Sequence, residues 1–210
     1  MNPKELSQVI RGALAERAAD LSPAQRQGIL RKIIASTELS SVIADMQEPF
    51  FKELSLFDLW TGEGFNSSLV KEKELRPSQA LFLYESLLKK TSLSELLSVD
   101  QLVKGVTCWQ IENMSPISFL NVFKVFEKNL HLLSPYQMNC LAWKYWAISN
   151  TSVPSNLLAL LPAEYLESIT GSRCVPFITS LRKIEIDHFI LNAQNKKAIL
   201  EKVLDCLVNK

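Results

Sequence analysis

One short spelling recurs along the chain and constrains its fold more tightly than composition does. An apolar residue is followed by a capping residue, often by Pro, and then by Gln or Glu three positions after the cap. The fullest copy is Leu133-Ser134-Pro135-Tyr136-Gln137. The Ser134 hydroxyl is suited to accept from the open N–H groups of a first helical turn. Pro135 stands where a missing N–H costs nothing, and Gln137 is placed to reach back and close a capping box. Met138, Leu141 and Tyr145 then fall at i, i+3 and i+7, with Ala142 beside them and Trp143 and Trp146 widening the apolar face. Related starts follow Leu21 (Ser22-Pro23-Ala24-Gln25), Leu75 (Arg76-Pro77-Ser78-Gln79), Leu97 (Ser98-Val99-Asp100-Gln101), Met114 (Ser115-Pro116-Ile117-Ser118) and Leu160 (Leu161-Pro162-Ala163-Glu164). Arg76 and Leu161 are poor caps, so those starts lean on Pro.

Repeated helix starts, only 6 Gly in 210 residues and short β-branched runs predict an all-α protein. Helices are expected over 4–19, 23–34, a third from 36, then 77–90, 92–104, 116–129, 135–148, 155–160, 162–171, 175–191 and 194–208. Short connections favour antiparallel neighbours. The expectation is one helical-repeat domain over 1–210, of short antiparallel helices stacked as a right-handed superhelical array of the armadillo or HEAT kind. A soft boundary is expected at the loop 61–68, Thr61-Gly62-Glu63-Gly64-Phe65-Asn66-Ser67-Ser68. Pro49 is expected to end or kink the third helix, and Phe50, Phe51, Leu54, Leu56, Phe57, Leu59 and Trp60 to form core.

The cysteines keep a second rhythm. They lie at 108, 140, 174 and 206, so successive separations are 32, 34 and 32 residues. Cys108, Cys140, Cys174 and Cys206 are therefore candidates for equivalent places in successive units, either as buried thiols or as disulfides. Four cysteines allow three pairings, and the rhythm does not choose among them. Pairs in neighbouring repeats, such as Cys140 with Cys174, are sterically easy if repeats stack.

No reaction centre assembles from the remaining residues, and no catalytic, cofactor or metal site is expected. The two histidines, His131 and His188, are far apart, and no Cys-x-x-Cys occurs. His188 follows Asp187, but neighbours on a helix point apart. His131 reads as a charge near a helix C-terminus. Gly62 and Gly64 lack the lysine signature and preceding strand of a phosphate loop. Three N-glycosylation sequons stand at Asn66-Ser67-Ser68, Asn113-Met114-Ser115 and Asn150-Thr151-Ser152, with Pro116 disfavouring the second. No window is long and apolar enough for a membrane span, and neither a secretory signal nor a lipid-anchor tail is read in the chain.

Charge is balanced, with 23 basic against 22 acidic residues, which argues against a general nucleic-acid binder. A second reading stays open beside an extracellular one: an intracellular helical scaffold that binds protein or RNA. Tyr84, Lys89, Lys90, Lys144 and Tyr145 would be its candidate contacts.

The strings Leu133-Ser134-Pro135-Tyr136-Gln137, Leu161-Pro162-Ala163-Glu164-Tyr165-Leu166 and Leu75-Arg76-Pro77-Ser78-Gln79-Ala80-Leu81-Phe82-Leu83-Tyr84 resemble the helical repeats of the mesothelin, stereocilin and otoancorin family, the otoancorin branch most of all. The resemblance implies a non-enzymatic cell-surface glycoprotein that attaches epithelium to extracellular matrix and is connected with hearing. It implies an apical plasma-membrane location, with lipid anchorage in the full-length relatives. Its partner would be a matrix or cell-surface protein, without nucleic acid. It also implies that this chain is a partial copy or short isoform of a longer solenoid. The family offers no catalytic residues to carry over; only the sequons at Asn66, Asn113 and Asn150 transfer by chemistry.

Overall fold

A computed structural model describes residues 3–59, 66–149, 154, 157, 161, 163–181 and 193–208. Among them all regular structure is helical. The helices are α1 (Pro3–Arg11), α2 (Ala13–Arg17), α3 (Pro23–Ser36), α4 (Glu48–Phe51), α5 (Pro77–Leu88), α6 (Leu93–Leu96), α7 (Cys108–Asn113), α8 (Pro116–Lys128), α9 (Pro135–Ser149), α10 (Ala163–Glu167), α11 (Cys174–Leu181) and α12 (Ala193–Val208). Short 3-10 turns lie between them, including Leu39–Ser41, Ile43–Asp45 and Asp100–Gly105. The chain forms two compact units: residues 1–106 with 120–132, and residues 107–119 with 133–210. Helix α8 starts in the second unit and continues into the first.

The recurrent spelling does set helix starts. Ser22 Oγ accepts from Gln25 N (3.3 Å) while Gln25 Oε1 accepts from Ser22 N (2.9 Å), a closed capping box before Pro23. Ser134 and Gln137 repeat it at 3.2 and 2.9 Å. Ser115 caps α8 by accepting from Ser118 N at 3.1 Å. Arg76 gives no side-chain cap; Gln79 Oε1 accepts from its N–H at 3.1 Å, and its guanidinium donates to Leu54 O at 2.8 Å.

Several expectations change. The helix over 4–19 breaks at Gly12, whose backbone leaves the helical region (φ −94°, ψ −106°). The third helix is replaced by two 3-10 turns, and Pro49 lies in the first turn of α4, where it starts a helix instead of ending one. Residues 92–104 split into α6 and the turn Asp100–Gly105. Gln101 does not close a box with Ser98; its Oε1 accepts from Leu75 N at 3.2 Å. Of the apolar cluster, Phe50, Phe51, Leu54 and Leu59 are core, but Leu56 is exposed and Phe57 is 86% exposed. The cause is local: Asp58 Oδ2 accepts from Ser55 N (2.9 Å) and Ser55 Oγ from Asp58 N (3.1 Å), which leaves 56 and 57 at a turn tip. Trp60, most of the 61–68 loop, and most of 155–160 and 182–191 lie outside the described residues.

The first unit is cored by the aromatic and aliphatic residues of α4, α5 and the turn Asp100–Gly105, which packs closely on α5. Ile10, Ile33 and Val42 form a smaller cluster beside Leu14, Ile29 and Leu39. A set of cations ties each segment to backbone carbonyls well upstream. Lys73 Nζ donates to Ala44 O (2.9 Å) and Met46 O (2.5 Å), 29 and 27 residues back. Lys104 Nζ donates to Leu75 O (2.9 Å), 29 residues back. In the second unit Lys144 Nζ donates to Glu112 O (2.6 Å), 32 residues back, and Lys202 Nζ to Glu167 O (3.2 Å), 35 residues back. Glu112 and Glu167 lie at the ends of short helices, where carbonyls have no intrahelical donor, whereas Leu75 just precedes α5; in each case a lysine one helical pair later supplies the hydrogen bond.

Burial sets the alkaline behaviour of this unit. Tyr84 is 1% exposed, and burial pushes its phenol from 10.0 to about 12. Between those values the unfolded chain releases a proton that the folded chain retains, so stability falls as pH rises through the window, by ~2.7 kcal/mol at its upper end. Burial lowers the Lys73 and Lys104 ammonium groups below 10.5, and they act in the opposite sense, adding stability as pH approaches 10.5. In urea unfolding from about pH 9 to about pH 12, Tyr84→Phe is expected to flatten the loss above about pH 10. An unchanged slope would remove Tyr84 as its source.

Candidate functional site

The second unit holds the chemistry that separates this chain from a generic helical protein. Helix α7 starts from a capping box without Pro: Thr107 Oγ1 accepts from Gln110 N (3.2 Å), and Gln110 Oε1 from Thr107 N (2.8 Å). That start places Cys108 at the first helical residue. Cys108 is bonded to Cys140 of α9, with Cα atoms 5.6 Å apart. Its Sγ lies 3.4 Å from the Tyr136 carbonyl oxygen, and Lys144, one turn beyond Cys140, reaches the Glu112 carbonyl near the other end of α7. The α7–α9 pair is thus fixed covalently at one end and by a charged hydrogen bond at the other.

A second disulfide joins α11 to α12, with its lysine tie reaching a different helix, α10. Cys174 opens α11 and is bonded to Cys206 of α12, with Cα atoms 5.4 Å apart. Lys202, one turn before Cys206, donates to Glu167 O and to Asp205 Oδ2 (2.9 Å). All four candidate cysteines are therefore brought together in pairs, and none is free. The pairing is sequential, 108 with 140 and 174 with 206, and not Cys140 with Cys174. Each bond joins cysteines 32 residues apart in sequence.

Around the first staple the surface is aromatic. Trp109 is 71% and Tyr136 70% exposed, and both adjoin Cys108 through chain or carbonyl contact. Trp143 is partly exposed and meets Tyr165 edge-on at 4.1 Å; the Arg173 guanidinium lies 5.5 Å over the Trp146 ring. Large aromatic side chains that remain wet on rigid helices are the residues interfaces use as anchors. Among the described residues a groove of about 440 Å³ in the first unit, open to solvent, is lined by Leu30, Arg31, Glu53 and Asp58. Its Glu53 is already paired with Arg26 at 2.8 Å. Among the described residues no group of His, Cys, Asp and Glu is placed to hold a metal, and no helix is long and apolar enough to cross a membrane.

The sequons differ in setting. Asn66 is exposed, and its side-chain oxygen accepts from the Ser68 N–H (3.0 Å) and from the Ser68 hydroxyl. Asn113 ends α7 and its amide donates to Trp109 O at 2.7 Å, while the Ser115 hydroxyl donates to Ser118 Oγ at 2.8 Å in the cap of α8. Asn150 lies outside the described residues, as does His188; His131 is exposed in a 3-10 turn. The five residues named as candidate RNA contacts have different settings. Tyr84 is core, Lys144 is held on a carbonyl, and Tyr84, Lys89 and Lys90 belong to one unit while Lys144 and Tyr145 belong to the other.

Fold and staples together define an all-α, disulfide-bonded helical protein with exposed aromatic side chains. Sequence comparison gives the particular relationship. Over 208 residues the chain is 53% identical to human otoancorin and 49% identical to mouse otoancorin, and each match covers 99% of this chain. It is related to otoancorin along nearly its whole length. The chain spans 18% of the length of these two relatives. No family model matches it, and no solved structure does.

Proposed function

We propose that this chain is a segment of a non-enzymatic cell-surface protein that attaches epithelium to extracellular matrix, in the setting of hearing. The observation that carries the reading is the closure of both cysteine pairs in a relative of otoancorin. Such bonds belong to an oxidising, extracellular compartment and are rare in the cytosol. Binding would use the broad helical surface around Trp109 and Tyr136, with a matrix or surface protein as partner; the open groove of the first unit favours a surface over a pocket. The lysine-to-carbonyl ties at separations of 27 to 35 residues favour stacked helical pairs, and the right-handed superhelix over 1–210, continued in a longer solenoid, is proposed on the family resemblance. Lipid anchorage would belong to the full-length protein.

Of the two described sequons Asn66 is the better placed for a glycan, because it is exposed in a turn with its amide nitrogen uncommitted to the backbone, whereas the Asn113 amide and Ser115 hydroxyl are already committed to helix ends. Expressed through a secretory pathway and alkylated without reduction, the chain should carry no alkylated cysteine and should bear glycan mass at Asn66. Asn66→Gln should remove one glycan step on gels; Asn113→Gln should remove none. The oxidised chain should also be retained on an immobilised matrix extract and not on albumin. A bare Asn66 with four alkylated thiols, or equal retention on both supports, would overturn the reading.

A further inference from the structure

The two staples stand in one register. Their first cysteines are 66 residues apart (174 minus 108), and so are their second (206 minus 140). Each first cysteine opens a helix and follows a glycine by three positions, Gly105 or Gly171. Burial follows the register through the first helix: Ile111 and Phe177 are buried, Trp109 and Val175 exposed. In the second helix it departs. Leu141 and Ala142 of α9 are 0% exposed, whereas Leu207 and Val208 at the same places on α12 are 51% and 79% exposed. Met138 is half-buried, and its counterpart Leu204 is 53% exposed. With Leu200, 60% exposed, these residues fall at i, i+4, i+7 and i+8, one continuous apolar face of α12.

We infer that this face is a docking surface for another stapled helical unit of the same kind, and that a second copy of the chain fills it when the chain is alone in solution. Three observations carry this. The equivalent positions of α9 are covered in the folded protein, so this type of helix face works as an interior. The stripe has the spacing of helix-on-helix packing. Its rim carries both charge signs, with Lys197 Nζ 3.7 Å from Glu201 Oε1 and both exposed. A two-fold pair of such faces can therefore set the lysine of one copy against the glutamate of the other. The inference does not depend on the adhesive reading, since it needs only the register and the exposed stripe.

The test is sedimentation equilibrium of the intact oxidised chain from about 1 to about 100 μM, the range in which a modest interface declares itself. A concentration-dependent dimer is expected. Leu204→Lys with Leu207→Lys should leave a monomer over the whole range, with an unchanged helical circular-dichroism spectrum because both positions are exposed. Ile117→Lys, at a more exposed apolar site on α8, should leave the dimer intact. A parent chain that stays monomeric overturns the inference. So does a dimer that survives the double lysine variant, or one lost equally in Ile117→Lys.

Discussion

Replacing Cys108 and Cys140 together with serine is expected to lower the thermal midpoint by about 10 °C. The bond closes a stretch of 32 residues, and the loop-closure relation gives about 3.7 kcal/mol for a ring of that size. The loss should be felt throughout the α7–α9 pair, because the same bond sets the two helices against each other. Lys144 on the Glu112 carbonyl then remains as the polar tie, a hydrogen bond worth about 1.5–3 kcal/mol when the donor is charged. Replacing Cys174 and Cys206 should cost a similar amount, since that loop has the same length. The two closed loops do not overlap in sequence, so the two losses should nearly add. The check is calorimetry without reductant. A midpoint within about 2 °C of the parent for the first pair would mean that this bond does not constrain the unfolded chain.

The second large effect is expected in the first unit. Gly105 is buried at the end of the turn Asp100–Gly105, and a Cβ there would stand 2.3 Å from Ala80 O, 2.4 Å from Ala80 C and 2.6 Å from Leu81 N. These are backbone atoms of α5 and cannot swing aside as a side chain would. Gly105→Ala must push the turn away from α5, and the expected cost is about 3 kcal/mol or more. Gly28 supplies the contrast. It sits inside α3, and a Cβ there meets nothing within 4 Å. Gly28→Ala should stabilise by about 0.5–1 kcal/mol through helix propensity and reduced freedom of the unfolded chain. Urea midpoints of the two variants should move in opposite directions. A destabilisation below about 1 kcal/mol for Gly105→Ala would mean that the close approach relaxes easily.

The starts at Ser22 and Ser134 were legible because a capping box is a local bargain between residues three apart, written wholly in the sequence. The start of α7 uses the same chemistry, Thr107 with Gln110, yet lacks the Pro that makes the others conspicuous; threonine followed three residues later by glutamine was the available signal. The 3-10 turns at Leu39–Ser41 and Ile43–Asp45 carry an apolar stripe like that of an α-helix, so periodicity alone mistook them for one. The cysteine rhythm was visible, but separations of 32, 34 and 32 fit a 140–174 bond as well as the observed pairs. Choosing among pairings depends on which helices adjoin, and that is tertiary information. The ties of Lys73, Lys104, Lys144 and Lys202 were not legible, because their partners are main-chain carbonyls about one helical pair upstream and leave no mark on side-chain spelling.

Sequential staples also govern how such a chain answers a pull. Between two points of attachment, unfolding can pay out only the backbone that lies outside closed rings. At ~3.4 Å per extended residue, each 32-residue ring withholds roughly 100 Å of contour length for as long as its sulfurs stay joined. Under tension the segment therefore yields over residues 1–107 and 141–173 and stops at the staples, and reduction would lengthen it in two equal steps.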